Sequence, residues 1–199
     1  MQQTTPPTRQ ERRVRRTRAL ILNGLIELMQ KKPVKDISVR ELADLVDINR
    51  STFYLHYTDV YDLLEQTEND LMDQFLSILD SEKKNITWDE FANRLKRFFT
   101  VLSANQPLCR ALMSPNGDIA FVRKLESLIA ENGLRTLRTI SDEKNFDADD
   151  LQYVIGFFLS GCIGMVDMWL QNDCKQSVDH MSALAMQLLQ TGIRGIAKR

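Results

Sequence analysis

The chain has little of what builds sheets, disulfide frameworks or hydrolytic sites. Its 199 residues include 8 Gly and 5 Pro, and runs of alternating Val, Ile and Thr are few, which argues against a sheet and for an all-α fold. Three cysteines, Cys109, Cys162 and Cys174, make neither an even set nor a Cys-x-x-Cys pair. No disulfide framework or zinc site is therefore expected, and a reducing compartment with burial as small apolar side chains accounts for them. His56 and His180 are the only histidines. There is no His-Glu-x-x-His, no Gly-x-Ser-x-Gly and no Gly-rich phosphate loop, and the carboxylates fall on helix surfaces or N-termini, where solvation and capping explain them. No catalytic residue, metal or cofactor is expected.

Long apolar runs are also missing. The start of the chain is polar and then Arg-rich, without the apolar region of a secretory signal. The longest apolar run, 154–166, stops at Asp167, short of the about 20 residues a membrane-spanning helix needs. A cytoplasmic protein with no membrane partner is the expectation.

What is present is an uneven distribution of charge. The net charge of -1 hides 11 Lys and Arg against 6 Asp and Glu in residues 1–58, and 15 against 21 in the remainder. A basic head on an acidic body suits a protein that meets phosphate at one end. Composition and breaks divide the chain into a polar, disordered tail (1–8), a helix-turn-helix region with a basic N-terminal arm (9–58) and a helical regulatory and dimerisation region (59–199).

The head is organised around residues 37–57, ISVRELADLVDINRSTFYLHY. Ser38 and Glu41 have the spacing of a capping box, so a helix starts at Val39 with Leu42, Leu45 and Val46 on its apolar face. Asp47-Ile48-Asn49 breaks it, and Asn49 caps a second short helix. There Phe53 and Tyr57 share one side, while Arg50, Ser51, Thr52, Tyr54 and His56 cover the rest. Two short helices joined by a tight turn, the second polar and basic outward, are what a helix-turn-helix presents to the major groove. A helical hairpin in a core explains Phe53 and Tyr57 but leaves the polar remainder unexplained. Before the motif, Arg9, Arg12, Arg13, Arg15, Arg16 and Arg18 read as a flexible arm that can lie along the backbone or enter the minor groove. A helix over 17–31, with the stripe Leu20, Ile21, Leu25, Leu28 and Met29, packs behind it and stops at Pro33.

Residues 10–65, through SVRELADLVDINRSTFYLHYTDVYDLL, resemble the N-terminal domain of the TetR/AcrR family of transcriptional regulators. The resemblance implies a three-helix DNA-binding domain and a C-terminal helical bundle that dimerises and takes a ligand, usually in a repressor. It further implies that Arg50, Ser51 and Tyr54 meet base edges, that Ser38, Val39 and Arg40 approach DNA from the preceding helix, and that Thr52, His56 and Tyr57 lie near phosphates; Arg16 is the candidate contact from the arm read above. Two departures stand out: Asp47 occupies a turn position usually held by Gly, and Val60 a position where many members carry a phosphate-binding Lys.

In the body, Thr58 reads as the cap of a long helix to about Ser81, the lever that ligand binding moves in the family. Thr87 with Glu90 is a capping box for a helix to about Ser103; further helices read as 106–113, 118–140, 147–172 and 177–197. Gly156, Ser160 and Gly164 recur every four residues and leave a shallow face for a neighbouring helix. With Met181, Leu184, Leu188 and Ile193 of the last helix they form the dimer interface that the resemblance implies. Residues 161–173, ending in WLQND, resemble the branch that includes the dihydroxyacetone kinase regulator. Phe75, Phe98, Phe99, Phe121, Phe157, Phe158, Met165 and Trp169 are candidate lining for a pocket holding an unidentified effector, against the plainer reading that they are core.

The resulting expectation is a homodimeric repressor on a double-stranded operator, released by a ligand. The alternative is a co-regulator whose body binds a protein partner instead of a small molecule.

Overall fold

The computed structural model describes residues 8–79, 87–140 and 148–196, the side chains of 134–140, 148–151 and 193–196 excepted. Nine α-helices and no strand occur among them: α1 Arg9–Met29, α2 Val39–Leu45, α3 Arg50–Tyr54, α4 Val60–Leu79, α5 Trp88–Ala104, α6 Gln106–Leu112, α7 Ile119–Ile140, α8 Ala148–Gln171 and α9 Val178–Ile196. The fold is all-α. From α5 onward the boundaries lie within two residues of those read from caps and breaks. The start of α1 does not. Thr8 Oγ1 accepts from the Glu11 N-H at 3.2 Å, and the Thr8 N-H donates to Glu11 Oε2 at 2.7 Å. This capping box starts the helix at Arg9, so the arginines expected to form a flexible arm are helical. Arg is a good helix former, and a capped start lets the arginine run continue the turn instead of fraying. Thr8 caps the helix; the rest of the expected tail, 1–7, lies outside the described residues.

The chain forms two compact units, one up to Asn69 together with Ser114–Gly117, the other Asp70–Met113 with the residues from Asp118 on. The division falls within α4 and not at residue 59, because the first turns of that helix bury Val60, Leu63, Leu64 and Thr67.

In the first unit the core is Ile21, Leu25, Leu28, Met29, Leu42, Ala43, Phe53, Tyr57 and Leu63, all buried. Leu20 and Leu45, expected inside, are 42% and 40% exposed. The helices meet across Gly24: a Cβ there would stand 2.5 Å from Val46 Cγ1 and 2.8 Å from Leu42 Cδ1. Glycine at this point lets α2 sit closer to α1 than a side chain allows. Ile26 and Ala43 take the inward positions instead. α4 is capped by Asp59, one residue after the expected Thr58: Asp59 Oδ1 accepts from the Asp62 N-H at 2.8 Å, and the Thr58 N-H donates to Asp62 Oδ2 at 2.7 Å.

In the second unit Phe75, Phe99, Leu102, Leu112 and Leu170 are almost wholly buried. The Thr87 and Glu90 capping box is formed. The Phe75 and Phe98 rings stand 4.7 Å apart, and the Phe99 ring meets the Trp169 edge at 5.4 Å. α6 is tied to the end of α8, where Gln106 Nε2 donates to the Leu170 carbonyl at 3.1 Å and Arg110 pairs with Asp173 at 2.8 Å.

Candidate nucleic-acid interface and ligand cavity

The reading head is built from its turn. Ser38 Oγ accepts from the Glu41 N-H at 3.2 Å, but the Glu41 carboxylate goes to Lys32 Nζ at 2.6 Å, so the reciprocal half of the expected box is absent. The free lysine after α1 is the stronger partner for that carboxylate. α2 ends with Asp47 in the left-handed region at φ 51°, and the Ile48 N-H donates back to the Ala43 carbonyl at 3.0 Å. That is the six-to-one closure of a Schellman motif, with an aspartate where glycine is usual. Asn49 Oδ1 then accepts from the Ser51 N-H at 2.9 Å and from Ser51 Oγ at 3.0 Å, starting α3.

α3 is five residues long, and the ring beneath it anchors it. Phe53 is fully buried, with Tyr54 edge-on at 5.6 Å and Tyr57 at 5.7 Å. Outward lie Arg50, Ser51 and Tyr54, all exposed, with Thr52 and His56 half-buried at the flank. Ser38 and Arg40 at the start of α2 are exposed and Val39 is half-buried. Tyr57, expected near phosphate, is instead 7% exposed, with the Arg18 guanidinium 5.3 Å above its ring. Arg18 Nη2 also donates to Gln66 Oε1 at 2.7 Å. Arg18 and Tyr57 thus hold α1, α3 and α4 together.

The other arginines divide by face. On α1, Arg9, Arg12, Arg13 and Arg16 recur at i, i+3, i+4 and i+7, one stripe of the helix. All four are exposed, and none forms an ion pair among the described residues. Arg15 lies near Glu11, whose carboxyl is held below its ordinary range mainly by the Thr8 N-H and hydroxyl.

The second unit holds a cavity of about 190 Å³, almost wholly apolar, between α4, α5, α7, α8 and α9. Phe75, Phe98, Phe99, Phe121 and Phe158 line it. Phe157, Met165 and Trp169 do not. Phe157 is 75% exposed on the other side of α8, because consecutive helical residues point about 100° apart. Trp169 is buried against Phe99 with Nε1 donating to the Gln176 carbonyl at 3.0 Å. Beyond Phe121, Leu125, Leu128 and Ile129 of α7 and Arg94 of α5 also face the cavity and were not among the expected lining; a helical stripe reads alike whether it faces a cavity or a solid core. Cys109 and Cys162 also border it. Burial pushes the Cys109 thiol up to about 12 and raises that of Cys162, which disfavours thiolate chemistry.

Opposite the cavity, α8 presents an uncovered apolar face. Tyr153, Phe157 and Met168 are 67–75% exposed, with exposed Gly156, Ser160 and Gly164 between them. A Cβ on Gly156 or Gly164 would meet nothing within 4 Å. On α9, Leu184 and Leu188 are exposed, whereas Met181, expected beside them, is 5% exposed and belongs to the core of the second unit. It lies about 60° around α9 from Leu184, toward buried Ala185. The Ile193 side chain lies outside the described residues. The expectation that the apolar run of α8 is too short to span a membrane is corrected, since Gln152–Gln171 is long and apolar enough by length and composition. Asp167 interrupts the run but is a single charge within 20 residues, and one such helix is weak evidence of a membrane span.

Comparison with known proteins agrees with this architecture. The family profile of a TetR-type transcriptional regulator C-terminal region matches residues 87–191. The chain belongs to the TetR family of transcriptional regulators. No curated protein matches it by sequence. Among solved structures, a TetR regulator from Streptococcus agalactiae is 23% identical with a TM-score of 0.55, covering 90% of this chain and 97% of that one. FadR from Bacillus subtilis, in complex with stearoyl-CoA, is 16% identical with a TM-score of 0.60, covering 87% and 98%. The dihydroxyacetone kinase operon activator DhaS is 16% identical with a TM-score of 0.52, covering 90% and 97%. At such identities these TetR-family structures share the fold.

Proposed function

We propose that this TetR-family regulator is a cytoplasmic homodimeric repressor that binds a pseudo-palindromic DNA operator and leaves it when a small apolar ligand fills the body. The observation that carries the reading is α3 itself: a short helix pinned from below by buried Phe53 and presenting Arg50, Ser51 and Tyr54 to solvent. Such a helix inserts into the major groove with its N-terminal residues against base edges. Arg50 is the candidate for a bidentate contact to guanine, with Ser51 and Tyr54 beside it; Ser38, Val39, Arg40, Thr52 and His56 flank the backbone. Tyr57 acts by positioning α3. The stripe Arg9, Arg12, Arg13 and Arg16 tracks phosphates from outside the minor groove, because a helix about 10–12 Å across does not enter a groove about 6 Å wide.

In the body, the cavity exceeds the about 150 Å³ that suffices for a benzene-sized guest. The uncovered face of α8 and α9 is where a second copy packs, its glycines admitting close helix approach, and α4 carries ligand occupancy to the head. Arg50→Ala tests the reading: operator affinity falls by about 1–3 kcal/mol with relaxed specificity at one base pair, and unchanged affinity and specificity in a gel-shift titration count against it. The same apolar face also suits a co-regulator that docks a different protein. Sedimentation of the isolated chain separates the two, since a monomer at micromolar concentration favours the docking reading.

A further inference from the structure

Large apolar side chains left in solvent include scattered ones, such as Tyr61 and Ile119, and two groups. One is the face of α8 and α9. The other is the reading head, where Leu55 is 81% exposed, the most exposed large apolar residue among those described. Leu55 is the C-cap of α3, still in helical conformation, with its N-H donating to the Ser51 carbonyl at 3.2 Å. Four residues apart, Ser51 and Leu55 therefore share one side of the helix, next to exposed Tyr54. Phe53 and Tyr57 occupy the buried side. Leu55 is not a fold residue that happens to be uncovered, since its side points away from the packed rings.

We infer that Leu55 is a specificity-determining residue, an apolar reader that packs on the 5-methyl group of a thymine in the operator. Leucine has no donor or acceptor for a base edge or a phosphate, so the partner it can recognise in a major groove is the one apolar group displayed there, the thymine methyl. Ser51 on the same side supplies a hydroxyl that accepts or donates at the neighbouring edge, although in the free protein it is turned to Asn49. The head then reads hydrogen bonds through Arg50 and a methyl through Leu55.

The inference rests on α3 being the reading helix, and its test separates the two. The full-length protein is used to select an operator from random duplexes; each thymine of the selected motif is then replaced by deoxyuridine, which removes only the methyl. At one position per half-site the wild-type protein loses about 4-fold in affinity, the value of burying one methyl-sized group. Leu55→Ala, which alters both half-sites of the proposed dimer, binds the thymine operator more weakly by about 16-fold, the product of two such losses, and no longer distinguishes thymine from deoxyuridine. Its helical circular dichroism stays unchanged because the side chain touches little of the fold. Wild-type indifference to every deoxyuridine substitution, or a motif without thymine, overturns the role of Leu55 while leaving α3 as reader. The same follows if Leu55→Ala retains the deoxyuridine penalty. A protein that selects no duplex overturns both.

Discussion

The two compact units solve opposite problems with the same element. In the head, helices of five and seven residues, too short to persist alone, are fixed by a closed core in which Phe53, Leu42, Ile21, Leu25 and Leu63 are fully buried, and the side chains proposed to meet DNA stand outside it. In the body, long helices are individually secure, and burial is left unfinished: a cavity on one side of α8 and bare Tyr153, Phe157 and Met168 on the other. A reading surface needs its backbone immobile before the partner arrives, so that binding loses little to ordering. A body that senses a ligand, as proposed, needs unspent apolar surface, because a ligand shifts two states only by as much as its affinity for them differs.

Breaking the head should have the largest effect. Phe53→Ala removes the ring under α3 and is expected to cost about 3–5 kcal/mol of head stability, read as a lowered urea midpoint for an amide reporter in α3. If α3 keeps its protection, the claim that one ring fixes the helix is wrong. The bare face is tested through association and not through folding: Phe157→Glu with Leu188→Glu places unpaired charge where the proposed second copy packs. The dimer should weaken by about 3–5 kcal/mol for each charge buried without a partner, with helix content intact. Dimers of undiminished strength by sedimentation would mean that the interface lies elsewhere. A smaller effect separates rigid from flexible use of the basic segment. Replacing Arg9, Arg12, Arg13 and Arg16 with Gln should reduce the slope of log affinity against log salt by about 0.9 for each phosphate no longer neutralised, without changing the selected motif. A change confined to A·T flanks would instead indicate an unwound arm in the minor groove.

Much of this was legible in the sequence, and the failures have local causes. Gly and Pro scarcity marked the fold class, and the Thr87 capping box marked its helix of the body because it acts within one turn of chain. The capping box at Thr8 was as readable as the one at Thr87, but the density of arginine after it suggested an arm in its place. Leu20, Leu45 and Met181 were misplaced for a different reason. Each lies on a helix with the correct period, and which edge of an apolar stripe turns inward depends on where the neighbouring helix crosses, set for the first two by the close approach at Gly24. Periodicity gives the stripe and not its rim. The cavity is the extreme case, since a hollow and a core have the same pattern of side chains and differ in how far apart the helices stand.

The smallest test concerns the turn that holds the head rigid. Asp47 is at φ 51°, where an L-residue other than glycine is strained by about 1–2 kcal/mol. Its side chain makes no hydrogen bond or ion pair among the described residues, so nothing visible offsets that strain. Asp47→Gly keeps the Ile48 to Ala43 closure and removes the Cβ, at the cost of extra freedom in the unfolded chain. The net expectation is a gain of about 0.5–1 kcal/mol, read as a higher urea midpoint for the head with that of the body unmoved. Because the turn sets how α3 leaves α2, operator affinity should stay the same or rise slightly as one negative charge near the phosphates is removed. A fall in affinity with a gain in stability would be the informative failure: the strained aspartate would then be setting the angle of α3, and the head would share with the body the habit of holding free energy in reserve for its partner.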